Sequence, residues 1–299
     1  MITERNAPRW RAVGWVLGGV ATLLMMSFVC DAYTVYVWGG ASPAGWAPST
    51  GIDWSNLAFA TVMGTVSLAA GIIVTLTMPA PLADSCPAPI SWRRSWPRLW
   101  RTAVVYLAVM STVAVFVRAL IIAPVLRAHA PSTVPEVSSA PLSTGAVRIA
   151  EVFQFVIYGG PFEEPVFVAL PILGASLVTL FLNQYGSARA AQWFVMCSMP
   201  VLVIASLVGR AGIHLYQGVD AAIAAVVWGA AALLLYLRWR SLVGLVLGHV
   251  VYNVVYVDVL RRIGSVALLL TTTGLLIAAS AAIGVAALRK HRSAPRATR

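Results

Sequence analysis

Continuous apolar runs of about 20 residues, separated by short basic or Pro-rich segments, divide this chain along most of its length. Of its 299 residues, 60% are hydrophobic and only 10% are charged, whereas about a quarter of a soluble domain is charged. The runs are long enough to cross a bilayer as helices, and they lack the apolar–polar alternation of a transmembrane β-strand. The sequence therefore predicts an all-α fold, a polytopic membrane helical bundle.

The apolar runs predict about eight transmembrane helices. We place them at residues 12–38, 56–79, 102–124, 161–183, 191–216, 218–237, 241–258 and 263–288. A signal peptide is the alternative for the first run, although its length favours an uncleaved span. A shorter apolar segment, 146–160, ends at Gly159-Gly160-Pro161. We predict a half-helix or surface helix there, followed by a new helix that begins near Pro161 and places Glu163 and Glu164 near its N-terminus.

The chain divides into an N-terminal set of transmembrane helices and loops (1–145), a bundle that carries most of the polar residues within the spans (146–288) and a basic, disordered tail (289–299). The net charge of +11 comes from arginines clustered between apolar runs, which indicates topology signals and contacts with the lipid bilayer rather than a nucleic-acid partner. The clusters place both termini in the cytoplasm, although Arg261-Arg262 falls on the outer side. Lys290 is the single lysine, which is typical of a high-GC genome, and we expect a bacterial plasma membrane.

Polar residues interrupt three of the predicted spans. Glu163 and Glu164 are adjacent carboxylates in an apolar run, Arg210 precedes His214 by four residues, and His249 precedes Asn253 by four. A charged side chain at the centre of a bilayer costs roughly 2.5–3.5 kcal/mol on insertion scales, so a chain that keeps several has a compensating use for them. Residues four apart share a helix face, whereas adjacent residues point about 100° apart. The pattern predicts one buried site, with different partners for the two glutamates.

These residue types suit hydrolysis by an activated water molecule. A buried carboxylate can take a proton from water, and a nearby histidine can orient the water or relay the proton. His249 with Asn253 suits the stabilisation of an oxyanion, and Arg210 suits an ion pair with Glu163 or Glu164. The alternative is a structural role for all of them, as a buried ion pair and interhelical hydrogen bonds that hold the bundle together.

Other chemistries lack their motifs. There is no HExxH, GxSxG or Walker sequence, and the scattered Cys30, Cys86 and Cys197 indicate neither a disulfide framework nor a thiolate metal site. A serine protease without such a motif stays open, because serines and threonines are numerous in the spans. Two histidines and a glutamate are also a possible zinc set. We expect no metal and no cofactor, since His249 with Asn253 suits an oxyanion site better than a ligand pair.

The three polar patches resemble, in order and spacing, the three motifs of the CAAX prenyl protease and bacteriocin-processing family (CPBP, also called Abi). They are the double glutamate of PFEEPVFVAL, the GRAGIHLYQG segment with Arg210 and His214, and the GHVVYN segment with His249 and Asn253. The resemblance covers roughly residues 155–258. It implies a glutamic-type intramembrane endopeptidase in which Glu163 and His214 activate the attacking water, while His249 and Asn253 form the oxyanion hole.

The chain departs from the family pattern at two positions. The first motif usually runs Glu-Glu-x-x-x-Arg, and this chain has Val168 in place of the arginine. The second motif often carries Phe four residues before its histidine, where this chain has Arg210. We hypothesise that Arg210 supplies the positive charge that Val168 lacks.

The sequence thus predicts an intramembrane endopeptidase, with a peptide or membrane protein as substrate and catalytic residues Glu163, Glu164, His214, His249 and Asn253, supported by Arg210. The rival hypothesis is a non-catalytic scaffold of the same fold or a proton-coupled transporter. No residue implies a prenylated substrate, and processing of a bacteriocin, a signalling peptide or a membrane-protein tail is equally consistent with the sequence.

Overall fold

The computed structural model describes residues 54–77, 92–122, 145–169, 187–214, 219–255 and 266–292, together with residues 171, 172, 179 and 182. Nearly all of these residues are helical, and the described segments contain no strand, which confirms the predicted all-α class. The predicted first span, 12–38, lies outside the described residues, as does most of the tail.

Seven α-helices follow one another in the described segments. They are α1 (Trp54–Thr77), α2 (Trp92–Thr112), α3 (Gly145–Ile157), α4 (Ala188–His214), α5 (Val219–Trp239), α6 (Leu242–Tyr252) and α7 (Val266–Arg292). Wider π-helical turns extend α2 through Val113–Ile122 and α3 through Tyr158–Glu163 and Pro165–Ala169. The last helix reaches Arg292, past position 289 where the sequence predicted a disordered tail.

Four of the described helices are long and apolar enough to cross a membrane, which is compatible with an integral membrane protein. Their spans are Trp96–Val117, Gln192–His214, Val219–Trp239 and Ala267–Ala286. The predicted count of about eight is not confirmed. Half of the α5 span is buried inside the protein, against 6% of the α7 span, so α5 lies at the centre of the bundle and α7 at its edge.

The predicted helix break at Gly159-Gly160-Pro161 is wrong. The chain stays helical from Gly145 to Ala169, with Pro161 and Pro165 inside π-helical turns and the Glu164 N–H donating to the Gly160 carbonyl. The two glutamates therefore lie within a helix and not at the start of a new one. A proline removes a donor and crowds the preceding turn, and the wider turn is how this helix continues past two of them. Such π-turns are frequently found at functional sites.

Helix α6 crosses α2 at unusually short range. A Cβ atom built on Gly244 would lie 2.7 Å from the Leu99 carbonyl oxygen, and one on Gly248 would lie 2.8 Å from that of Ala103. Small residues four apart are the usual means by which membrane helices bring their backbones together. The crossing brings His249, the residue after Gly248, next to Tyr106 on α2.

Candidate active site

Seven polar side chains from four helical segments converge in the interior of the bundle. Each is at most 8% exposed. The set consists of Tyr106 on α2, Glu163 and Glu164 on the π-helical extension of α3, Arg210 and His214 on α4, and His249 and Asn253 at the end of α6. The structure therefore brings together all six residues that the sequence singled out, and it adds Tyr106.

Helix α4 carries a polar face inward and an apolar face outward. Ser206, Arg210 and His214, four residues apart in series, are all buried. Val201, Ile204 and Val208 on the other side are each at least 60% exposed, as suits a lipid-facing surface. The Ser206 hydroxyl donates to the Phe167 carbonyl and ties this helix to the segment that carries the glutamates.

The two adjacent carboxylates have different partners. Glu164 Oε1 accepts hydrogen bonds from the Tyr106 hydroxyl at 2.7 Å and from His249 Nδ1 at 2.6 Å, and it forms an ion pair with Arg210 Nη2 at 2.9 Å. The Arg210 Nη1–H also donates to the Tyr106 hydroxyl oxygen at 3.2 Å. Glu164 is thus fixed by three other helices, as expected of a group that organises the site.

Glu163 is held much more loosely. Its Oε2 lies 3.5 Å from His214 Nε2 and 3.8 Å from Arg210 Nε, beyond hydrogen-bond range in both cases. Glu163 Oε2 and His214 Nε2 are both buried, and neither has a hydrogen-bond partner among the described residues. Buried polar atoms are nearly always hydrogen-bonded. A water molecule shared by the carboxylate and the ring would satisfy both.

A third group faces the start of the π-helical segment. A Cβ atom built on Gly159 would lie against Asn253 Nδ2 and 3.0 Å from His249 Nε2. Because His249 Nδ1 is engaged by Glu164, Nε2 is the ring nitrogen that lies on the Gly159 side, next to the Asn253 amide. Two side-chain nitrogens thus lie against Gly159, at a position where any side chain would collide with the Asn253 amide.

Comparison with protein-family models, with curated protein sequences and with solved structures yielded no match. Any function for this chain therefore has to follow from the arrangement of its own side chains.

The predicted ion pair of Arg210 forms, and it reaches both glutamates. The guanidinium also lies over the Phe167 ring, 5.7 Å from the ring centroid, which is a cation–π distance. Val168, where the CPBP motif usually has its arginine, is an apolar side chain with 1% exposure. The positive charge beside the double glutamate thus comes from α4, as the sequence-based hypothesis requires.

Two aromatic residues at the site were not predicted from the sequence. Tyr106 lies in an apolar helix outside the segment that resembles CPBP proteins, and tyrosine in a membrane span is commonly an interfacial anchor. Trp228 on α5 packs edge-on against the His214 ring with centroids 5.3 Å apart, and it also lies 6.4 Å from the Tyr252 ring. A hydroxyl midway along the apolar Trp96–Val117 span was the one available hint for Tyr106, and nothing in the sequence links it to Glu164.

Within the described residues, no group of three or more His, Cys, Asp or Glu side chains is arranged to hold a metal ion. The guanidinium of Arg210 already lies between the two carboxylates, at 2.9 Å from one and 3.8 Å from the other. A divalent cation bound to the same carboxylates would be repelled by it at close range.

Proposed function

We propose that this protein is an intramembrane endopeptidase of the CPBP type, which hydrolyses a peptide bond with a water molecule activated by Glu163 and His214. One observation carries the proposal: two buried atoms without hydrogen-bond partners in the described structure, Glu163 Oε2 and His214 Nε2, lie 3.5 Å apart. That spacing allows one water molecule to contact a carboxylate and an imidazole together, as general-base catalysis requires.

The remaining side chains complete a hydrolytic cycle. Glu163 takes a proton from the water molecule as the water oxygen attacks the peptide carbonyl carbon. The carbonyl oxygen becomes an oxyanion, which His249 Nε2–H and Asn253 Nδ2–H stabilise. For this step His249 carries protons on both nitrogens, and Nδ1–H donates to Glu164. The proton taken from water then passes to the amide nitrogen as the C–N bond breaks, releasing a carboxylic acid and an amine.

The proposed reaction uses no metal or other cofactor, because Glu163 with His214 activates the water and His249 with Asn253 stabilises the oxyanion. The substrate is a peptide or a membrane-protein segment that reaches the site from the bilayer. We further propose the eight-span arrangement with both termini in the cytoplasm of a bacterial cell, which the arginine clusters support.

The experiment that tests the function uses the full chain, purified and reconstituted in lipid nanodiscs, with a pool of quenched fluorogenic peptides that each carry one apolar segment. We expect cleavage that persists in the presence of EDTA, and products made in H₂¹⁸O that carry ¹⁸O in the new carboxyl group. The His214→Ala variant should be about a hundredfold slower, in line with the loss of a general acid–base partner.

Equal cleavage by the wild type and His214→Ala would contradict the proposal and point to a contaminating protease. Absence of cleavage together with pH-driven ion flux across proteoliposomes would instead identify a transporter. A scaffold would show neither cleavage nor flux, and it would keep its cellular role without His214.

A methyl group added at Gly159 should slow the reaction without removing any polar group. The new methyl group of Gly159→Ala would collide with Asn253 Nδ2 and press on His249 Nε2, which would displace both proposed oxyanion donors. Loss of one oxyanion-hole donor costs about 10²–10³ in kcat, so we expect a decrease of at least that size. Initial rates in the same peptide assay measure it.

Gly212→Ala is the matched control, because a Cβ atom there has no neighbour within 4 Å among the described residues. It should retain wild-type activity. A Gly159→Ala variant as active as Gly212→Ala would show that the oxyanion is not bound on that side of His249.

A further inference from the structure

Tyr106 joins three charged or ionisable side chains of the site, although it comes from a helix outside the motif-bearing segment. Its hydroxyl donates to Glu164 Oε1 at 2.7 Å and accepts from Arg210 Nη1 at 3.2 Å. Its ring also lies edge-on against the His249 ring, with centroids 6.3 Å apart. Tyr106 is 0% exposed, so none of these contacts is shared with solvent.

Three donors, one of them the Tyr106 hydroxyl, share one oxygen of Glu164. The Tyr106 hydroxyl, Arg210 Nη2 and His249 Nδ1 all converge on Oε1, whereas Oε2 is buried without a hydrogen-bond partner in the described structure. Without the hydroxyl, Arg210 Nη1 would lose its acceptor and the carboxylate would lose one of three restraints against rotation. Glu164 Oε1, the acceptor for His249 Nδ1, would then be free to rotate away from the histidine.

We propose that Tyr106 is a positioning residue for hydrolysis: its hydroxyl holds Glu164 Oε1 on His249 Nδ1 and thereby keeps His249 Nε2 beside Asn253 for the oxyanion. This inference rests on the proposed peptidase function. It assigns a part in the reaction to α2, the helix that α6 crosses at Gly244 and Gly248. A displacement of 1 Å in a group that stabilises an oxyanion is enough to cost about a hundredfold in rate.

The test compares Tyr106→Phe with Ser111→Ala in the nanodisc peptide assay. Phenylalanine keeps the ring and its packing but removes the hydroxyl. Ser111 is buried on the same helix and donates to the Leu107 carbonyl, so its replacement also removes one hydroxyl hydrogen bond, away from the site. We expect kcat to fall about tenfold or more in Tyr106→Phe, with KM unchanged, because hydrogen bonds to charged groups contribute on that scale. Ser111→Ala should keep the wild-type kcat.

A second measurement does not depend on activity. Diethyl pyrocarbonate modifies histidine rings, and mass spectrometry gives the ratio of modified His249 to modified His214 in the same sample. A His249 ring released from its fixed acceptor should raise that ratio several-fold in Tyr106→Phe. If Tyr106→Phe does not accumulate, Tyr106→Met fills the same apolar volume without a hydroxyl and takes its place.

The outcomes separate this inference from the function on which it rests. A fall in kcat with a raised labelling ratio supports the positioning role. If Glu163→Gln is inactive but Tyr106→Phe matches the wild type in kcat and in labelling, Tyr106 has no such role and the peptidase function stands. If the wild type cleaves no faster than Glu163→Gln, the peptidase function fails, and the labelling ratio alone decides whether Tyr106 orients His249.

Discussion

Replacing Arg210 by alanine is expected to lower the free energy of unfolding by about 3–5 kcal/mol, the usual effect of removing one partner from a buried ion pair. The guanidinium is 0% exposed and lies 2.9 Å from Glu164 Oε1 and 3.8 Å from Glu163 Oε2. Its loss leaves two adjacent carboxylates in an apolar interior without their cation. We expect activity to disappear together with the native packing.

Thermal unfolding of the purified protein in detergent measures this loss. Arg101→Ala is the matched control, since Arg101 is also an arginine in a spanning helix but its side chain is exposed. Surface substitutions of that kind usually change stability by no more than about 0.5 kcal/mol. A fully stable and active Arg210→Ala variant would refute the hypothesis that this arginine replaces the one missing at position 168.

An arginine at position 168 should recover part of the stability and activity lost in Arg210→Ala. Val168 lies one helical turn after Glu164 and is buried, so an arginine there has a route to the same carboxylates. In the Arg210→Ala background, Val168→Arg is therefore expected to raise the unfolding temperature and restore some cleavage. A double variant no better than Arg210→Ala would show that the charge has to come from α4.

The second large effect concerns the two glutamates, which should respond differently to the same change. Glu163→Gln is expected to lower kcat by about 10²–10⁴ with little change in stability, because Glu163 is the proposed base and its two contacts, at 3.5 and 3.8 Å, are loose. Glu164→Gln is expected to destabilise the bundle, because the amide replaces the anion on which Tyr106, Arg210 and His249 converge.

Single-turnover cleavage and thermal unfolding, measured on both variants, test this difference. The two variants are controls for each other, since each neutralises one of two adjacent carboxylates without changing side-chain size. If Glu163→Gln kept its kcat while Glu164→Gln folded normally and lost it, the base would be Glu164 and the proposed assignment would be wrong.

The sequence predicted which polar residues would meet, because helix geometry and the bilayer leave few alternatives. Arg210 and His214, four residues apart, had to share a face of α4, and that face is buried while Val201 and Val208 are exposed. Adjacent glutamates had to diverge, and they do, towards His214 and towards His249. The energetic cost of polar groups in lipid is what made these residues visible in a single sequence.

Two features were not predictable from local patterns. Gly159-Gly160-Pro161 has the composition of a helix boundary, yet the helix continues by widening its turns, and it packs against α1 at Gly64 and against α6 at Val246. The contact of Tyr106 with Glu164 spans 58 residues in sequence and depends on how α2 packs. Neither hydropathy nor spacing contains that information.

The site can assemble only after α6 has been synthesised, because α6 packs tightly on α2, which is made much earlier. Arg210 follows Tyr106 by 104 residues, and His249 is translated later still. A nascent chain that has inserted only its first helices contains Tyr106 without any of its partners, and a chain that stops after α5 lacks both proposed oxyanion donors. If the protein is the proposed peptidase, a nascent chain that lacks α6 cannot hydrolyse a peptide. Peptidase activity becomes possible when the GLVLG segment of α6 packs on α2, which was synthesised much earlier.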